Sequence, residues 1–111
     1  MQRIDYDEET DTISVDFSSK KAYLSLEVSR RFIVDLSENH VPVGIELLDA
    51  SKVLSNLFGT KISKQDLHKL HCTINKEAIR EKKELYASFR LNDNEAKLLI
   101  PTNYESPILS S

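Results

Sequence analysis

The sequence predicts an α+β domain: an antiparallel β-meander covered by one capped helix, followed by a C-terminal β-hairpin. Two patterns make this prediction. Apolar and polar residues alternate in several short runs, which is the period of a half-buried strand. Between Val43 and Gly59 this alternation gives way to apolar spacings of three and four, the period of a helix with one buried face. A sheet with one apolar face must bury it, and the helix is the expected cover.

The segment that passes from strand to helix places the helix at residues 49–58. Asp49 follows the strand and is expected to cap the helix with its side-chain oxygen. The buried stripe of the helix is Ala50, Val53, Leu54, Leu57 and Phe58. Gly59 falls where a left-handed C-terminal cap is expected.

Four further strands are predicted before that segment. They fall at residues 3–7, 13–17, 22–28 and 32–36. The acidic turn from Asp7 to Asp11 makes the first two strands a hairpin. With the strand that begins after Pro42, we expect a five-stranded antiparallel meander, which together with the helix fills residues 1–59.

The second half is predicted to extend the same domain over residues 60–101, so that residues 1–101 form one unit. Residues 60–66 are polar and predict a linker, with a helical turn beginning near Ser63. If the next stretch is a strand, one face of it carries His68, Leu70, Cys72 and Ile74. Residues 102–111 are expected to form a loose tail.

A long hairpin is predicted at the end of the domain, with strand 79–91 paired to strand 95–100. Residues 75–84 suit a helix by composition, but they contain few apolar residues for a helix to bury, so helix and strand both stay open there. As an edge strand, residues 79–91 would leave backbone groups unpaired. This predicts that the chain forms a homodimer.

Charge and composition narrow the class of function. The chain of 111 residues has a net charge of -3, whereas nucleic-acid binders usually carry a basic excess. Residues 1–18 contain six acidic side chains and one basic one, which suits a basic protein partner.

No apolar run approaches the roughly 20 residues of a membrane span, and no signal segment follows Met1. The single cysteine, Cys72, fits a reducing cytoplasm.

Three sets of residues carry a resemblance to a known family. They are Tyr6-Asp7 with Asp11, Ile13 and Val15; Val34-Asp35; and Gly44-Ile45-Glu46-Leu47-Leu48-Asp49-Ala50-Ser51. They resemble the Domain of Unknown Function 2283 family, small prokaryotic proteins in which a hairpin precedes a strand that feeds a helix. The resemblance covers about residues 2–58, and the C-terminal half is an extension. Because members often occur beside small toxin-like proteins, it implies an antitoxin-like or accessory role, with no established activity.

Two groups of residues have a spacing reminiscent of metal sites. The first is Asp5, Asp7, Glu9, Asp11 and Asp16, spaced like a calcium loop. Thr10 stands where such a loop needs glycine, so a solvated turn is favoured over a calcium site. The second is His40, His68, His71 and Cys72, which lacks the paired spacing of a structural zinc site. A site between two copies stays open, but a half-buried Cys72 with exposed histidines is favoured over it.

Glu46 is the one charged residue inside an otherwise apolar strand. It is either a general base with a raised pKa, or a polar residue that need only lie on the open face of the sheet or pair across strands with Arg30 or Arg31. We favour the open face, because half-exposed strands alternate polar and apolar residues.

These observations predict no catalytic residue, no cofactor and no metal. The leading hypothesis is a non-enzymatic protein-interaction module, antitoxin-like, that binds a small basic partner. The alternative is a small dimeric nucleic-acid-binding regulatory protein, and the third is an enzyme that uses Glu46 with His68 or His71. The candidate interaction residues are Asp5, Asp7, Glu8, Glu9, Asp11, Glu46, Lys61, Lys64 and Lys69.

Overall fold

The computed structural model describes residues 2–79 and 82–101, so the predicted tail at residues 102–111 lies outside it. Its elements are β1 (Arg3–Asp7), β2 (Thr12–Asp16), β3 (Leu24–Ser29), β4 (Phe32–Leu36), β5 (Pro42–Leu47), α1 (Ala50–Phe58), a 3-10 turn (Asp66–Lys69), β6 (His71–Ile79), β7 (Lys82–Leu91) and β8 (Asn94–Ile100). All strand pairs are antiparallel. The predicted α+β class, with one helix and a C-terminal hairpin, is confirmed.

The first sheet has the strand order β1-β2-β5-β4-β3. The chain makes the β1-β2 hairpin, crosses to the far edge, and returns through the β3-β4-β5 meander until β5 pairs with β2. The order in space therefore differs from the order in sequence. The reason is burial: β5 holds Val43, Ile45 and Leu47 in the core, and a strand this apolar is best covered in the centre of a sheet.

The second sheet has the order β6-β7-β8, so that β7 is its central strand. Residues 75–84, for which the sequence allows either a helix or a strand, are strand up to Ile79 in β6 and again from Lys82 in β7. The strand predicted at residues 79–91 therefore starts at Lys82, and its assignment to a sheet edge is wrong. Both sides of β7 are paired, which removes the argument that led to a homodimer, although self-association itself stays a prediction.

His68 lies in the 3-10 turn and not on a strand, because a local capping arrangement ends the linker first. The Asp66 amide donates to Ser63 Oγ at 3.1 Å, and the Ser63 amide donates to Asp66 Oδ2 at 3.1 Å. This reciprocal pair starts the turn three residues after Ser63. The strand predicted through His68 therefore begins only at His71.

Helix α1 begins at Ala50, one residue later than predicted; Asp49 occupies the N-cap position, but the predicted capping by its side chain is wrong. Asp49 has a left-handed backbone with a φ of 50°, and its side chain makes no capping hydrogen bond. Instead its carboxylate accepts a hydrogen bond from Arg31 Nε at 3.1 Å. Gly59 has a φ of 70° and its amide donates to the Ser55 carbonyl, which confirms the predicted C-terminal cap.

Helix α1 and the inner faces of both sheets share one continuous cluster of buried apolar side chains. Ala50 and Leu54 bring the helix into this cluster, and Phe89 is the largest fully buried side chain of the second sheet. The side chain of Gln2 also hydrogen-bonds the backbone of β6 at Ile74, which joins neighbouring edges of the two sheets. No helix among the described residues has the length and hydropathy needed to cross a membrane.

Because the core is continuous, we expect both sheets to unfold in one transition. Replacement of Phe89 by alanine should lower the free energy of unfolding by about 3–5 kcal/mol, since it empties a fully buried site. Urea denaturation followed by circular dichroism measures this loss. Leu99→Ala is the control within the same sheet, because Leu99 is 47% exposed and its truncation should cost little. Two separate transitions in the wild type would contradict the shared core.

Candidate functional site

The β1-β2 turn is anchored to the start of α1 by the buried carboxylate of Asp11. Ser51 Oγ donates to Asp11 Oδ2 at 2.6 Å, and the Ser51 amide donates to Asp11 Oδ1 at 3.1 Å. Tyr6 Oη donates to Asp11 Oδ1 at 2.7 Å, and the Ala50 amide donates to the Asp11 backbone carbonyl at 2.8 Å. Asp11 thus satisfies two of the amides that a helix start leaves unpaired.

Burial alone would raise the pKa of Asp11. Hydrogen bonds from Ser51 and Tyr6, together with the positive charge of Lys64, outweigh burial and hold the pKa below its usual value. Burial and the hydrogen bond to Asp11 both raise the pKa of Tyr6. At neutral pH the carboxylate is therefore ionised and the phenol is protonated. Asp11 was predicted as an interaction residue, but its carboxylate is engaged in hydrogen bonds to Tyr6 and Ser51 of the same chain.

The rest of the acidic turn makes contacts within the same chain. Asp7 Oδ1 accepts the Glu9 amide at 3.0 Å, which closes the turn as expected. His68 packs edge-on against Tyr6 with ring centroids 5.1 Å apart, and its Nε2 lies 3.8 Å from Glu8 Oε2. Glu8 and Glu9 are exposed, but the turn is not a free acidic patch.

The three candidate lysines do not form one patch. Lys64 lies near enough to Asp11 to lower its pKa, and Lys69 acts in the same way on Asp66. Lys61 instead lines a cleft beside α1. Each lysine of the predicted basic segment therefore has different neighbours, and the three do not form a common binding surface.

A more coherent charged surface lies on the outer side of the first sheet, opposite the core. The cross-strand register places two rows of residues there. The first row is Arg3, Asp16, Gly44, Asp35 and Ser25, and the second is Asp5, Ser14, Glu46, Ile33 and Glu27. We call the five carboxylates of these rows the acidic face: Asp5, Asp16, Glu27, Asp35 and Glu46.

Gly44 lies between Asp16 and Asp35 in the first row of the acidic face, and both carboxylates border the space that a side chain at this position would fill. A Cβ at this position would lie 3.0 Å from the Val15 carbonyl oxygen, 3.1 Å from Asp16 Oδ1 and 3.4 Å from Asp35 Oδ2. A Cβ here would make a tight contact with a carbonyl of the neighbouring strand, so the position favours glycine. The result is a shallow notch on β5 with a carboxylate from each neighbouring strand.

Glu46 stands two residues further along β5, where its side chain meets the same carboxylates. Burial raises the pKa of Glu46, and the charge of Asp35, a hydrogen bond shared with Asp35 and the charge of Asp16 raise it further. The only positive charge in the two rows, Arg3, lies 3.2 Å from Asp5. No ion pair among the described residues involves Asp16, Asp35 or Glu46.

The open-face interpretation of Glu46 therefore holds, but its proposed pairing with Arg30 or Arg31 is wrong. Arg31 pairs with Asp49 instead, at 3.1 Å. Glu46 is surrounded by negative charge and shares a hydrogen bond with Asp35, and Asp35 Oδ1 also accepts a hydrogen bond from Ser25 Oγ at 2.7 Å. Such a surface can accept hydrogen bonds and positive charge from outside the chain.

The residues of the third hypothesis are not brought together. Glu46 lies on the outer side of the first sheet, His68 packs on the Tyr6 ring of the inner side, and His71 lies on the outer side of the second sheet. Burial raises the pKa of the Cys72 thiol to about 12, so it is protonated at neutral pH. In the part of the chain that the structure describes, no group of three or more potential ligands is arranged to hold a metal ion.

Sequence reasoning identified Asp5 and Glu46 but missed Asp35 and Glu27 as members of one surface, and it saw Asp16 only as part of a calcium-like spacing. The sequence does show acidic residues at the polar, outward-facing positions of the individual strands. Combining them required the strand order, because Asp16 and Asp35 become neighbours only when β5 lies between β2 and β4.

Comparison with known proteins identifies one family and no individual relative. Residues 3–51 match the model of a family described as Protein of unknown function (DUF2283). The match covers a little under half of the chain and ends at Ser51, where Asp11 holds the helix start. No curated protein and no solved structure gives a significant match.

Replacement of Asp11 by asparagine should weaken the tie between the turn and α1. We expect the free energy of unfolding at pH 7 to fall by about 1–3 kcal/mol, the usual cost of losing a buried charged acceptor. Since folding lowers the pKa of Asp11, its stabilising effect is present above the unfolded value of about 3.9 and disappears as the pH falls through the folded value.

The difference between wild type and Asp11→Asn should therefore be largest at neutral pH and shrink below about pH 4. Urea titrations at several pH values measure it. Asp93→Asn, the same change at an exposed turn residue, serves as the control and should stay within about 0.5 kcal/mol of wild type. A difference that does not depend on pH would show that the carboxylate charge is not what ties the turn to the helix.

Proposed function

We propose that this chain, whose residues 3–51 match the DUF2283 family model, is a non-enzymatic protein-interaction module that binds a small basic partner. The observation that carries the proposal is the cluster of Asp16, Asp35 and Glu46 around Gly44, which has no opposing cation among the described residues. The partner would dock on the acidic face and place an arginine or lysine side chain over Gly44.

The energetics of the cluster support a binding role. Carboxylates that repel one another lower the stability of a free protein, and the negative charges of Asp35 and Asp16 add to burial, the main cause, in raising the pKa of Glu46. A cation from a partner would remove the repulsion, so part of the binding free energy comes from relief of strain already present. Forked arginine donors suit two neighbouring carboxylates particularly well.

The family resemblance supports a partner encoded close by, in an antitoxin-like or accessory role in the cytoplasm. The C-terminal sheet lies outside the region matched by the family and shares the core of the first sheet. In this proposal it stabilises the first sheet from the inner side and leaves the acidic face open.

Removal of charge from the acidic face should weaken binding of a basic peptide. We expect the double variant Asp16→Asn with Glu46→Gln to bind a ten-residue arginine peptide at least tenfold more weakly than wild type at low salt. Fluorescence anisotropy of a labelled peptide, at low and moderate salt, measures this. The matched control, Glu38→Gln with Asp93→Asn, removes the same charge from exposed turns and should change affinity less than twofold. Equal weakening in both variants would reduce the effect to net charge and refute a defined site.

Glu46→Gln alone should separate stability from binding. Folding raises the pKa of Glu46, so the folded state is favoured while this group is protonated and loses that advantage as the pH rises through the folded value. At pH 7 the variant should therefore be slightly more stable than wild type, by roughly 1 kcal/mol or less because solvent screens these groups.

The gain in stability should disappear below about pH 4, where carboxyl groups are protonated in both states. Thermal unfolding at pH 7 and at pH 4 measures the gain, and the peptide titration measures the accompanying loss of affinity. Glu38→Gln is the control with no expected change in either. A Glu46→Gln variant that is less stable at pH 7 would mean that Glu46 stabilises the fold instead of serving a partner.

A further inference from the structure

A second surface, of opposite charge, lies beside helix α1. An open cleft of about 380 Å³ separates the exposed side of the helix from the segment that follows it and from the β3-β4 turn. Three cations line it, one from each of these parts: Lys52 on the helix, Lys61 after it and Arg31 in the turn. The side-chain amide of Asn56 lines it as well and makes no hydrogen bond to any described residue.

The positive charge of the cleft is only partly balanced. Arg31 Nε lies 3.1 Å from Asp49 Oδ2, and both side chains are about half exposed. Lys52 and Lys61 form no ion pair with any described residue. In a chain whose net charge is -3, this leaves a local surplus of positive charge in one concave place.

The walls of the cleft are fixed by hydrogen bonds. Ser55 Oγ donates to the Ser51 carbonyl at 2.6 Å and accepts the Ile62 amide at 2.8 Å. The Thr60 amide donates to the Ser55 carbonyl at 3.2 Å, so the segment that carries Lys61 is held against the helix on both sides of that residue. On the opposite wall, the Leu48 amide donates to the Arg31 carbonyl at 2.9 Å. A ligand would meet backbone that is already in place, which lowers the entropic cost of binding.

We propose that this cleft binds a small molecule that carries a phosphate group. A phosphate presents several acceptor oxygens and up to two negative charges, which matches a forked guanidinium, two ammonium groups and an unoccupied amide donor. A single carboxylate would leave most of this charge and most of these donors unused. The volume lies at the lower end of the range for small-molecule sites. The site is independent of the acidic face, since it lies elsewhere and has the opposite sign.

The test is a titration of the full chain with inorganic pyrophosphate, at constant ionic strength, followed by amide chemical shifts in NMR spectra. We expect saturable shifts centred on Arg31, Lys52, Asn56 and Lys61. The double variant Lys52→Gln with Lys61→Gln should bind at least tenfold more weakly. Lys20→Gln with Lys21→Gln removes the same charge from exposed positions that do not line the cleft, and should stay within twofold of wild type.

Three outcomes of the pyrophosphate titration would overturn the proposal. They are shifts that never saturate, shifts reproduced by sodium chloride alone, and equal weakening in the Lys20 and Lys21 control. A short DNA duplex that shifts the same amides more strongly than pyrophosphate would also overturn it, by assigning the cleft to a nucleic-acid backbone. The acidic-face variant Asp16→Asn with Glu46→Gln should bind pyrophosphate like wild type, so failure here is distinguishable from failure of the proposed basic partner.

Discussion

The hydrogen bonds between Asp11 and the start of helix α1 are the constraint on which the family-matched part of the structure depends. They join the first hairpin to an element that lies 40 residues later in sequence. Burial would raise the pKa of this carboxylate, but the hydrogen bonds from Ser51 and Tyr6, together with the charge of Lys64, lower it and favour the ionised form. This gives a physical role to three residues of the matched segment: Tyr6, Asp11 and Ser51 are hydrogen-bonded to one another and hold the hairpin to the helix.

The same tie determines which surface of the first sheet is available. With α1 fixed at one end and the second sheet sharing its core, the inner face of the first sheet is covered. The outer face is left with alternate residues that no longer need to be apolar. Any polar residues would make this face soluble, and threonine or lysine would do so without the repulsion between neighbouring carboxylates. The crowding of Asp16, Asp35 and Glu46 around Gly44 goes further than solvation requires, and local conflicts of this kind are typical of functional surfaces.

Local sequence patterns predicted the features that depend on interactions between residues close together in the sequence. The helical stripe, the Gly59 cap and the first hairpin follow from spacing within a few residues, and the structure has all three. The same reasoning chose Asp49 as the helix cap because it stands next to the helix, whereas the acceptor is Asp11, which only the folded sheet brings near. Strand order, the central position of β7 and the grouping of acids across three strands depend equally on long-range pairing, which no local window contains.

Net charge is an average that hides the arrangement of charge in this chain. A value of -3 argues against nucleic acid when the charges are assumed to be spread evenly. They are not: one side of the first sheet gathers carboxylates, while Arg31, Lys52 and Lys61 gather around the exposed side of the helix. Fields of opposite sign on separate surfaces act on different ligands, because at physiological salt a charge is screened beyond about 8 Å. A basic partner and a phosphate group can therefore be recognised by the same small domain without competing for it.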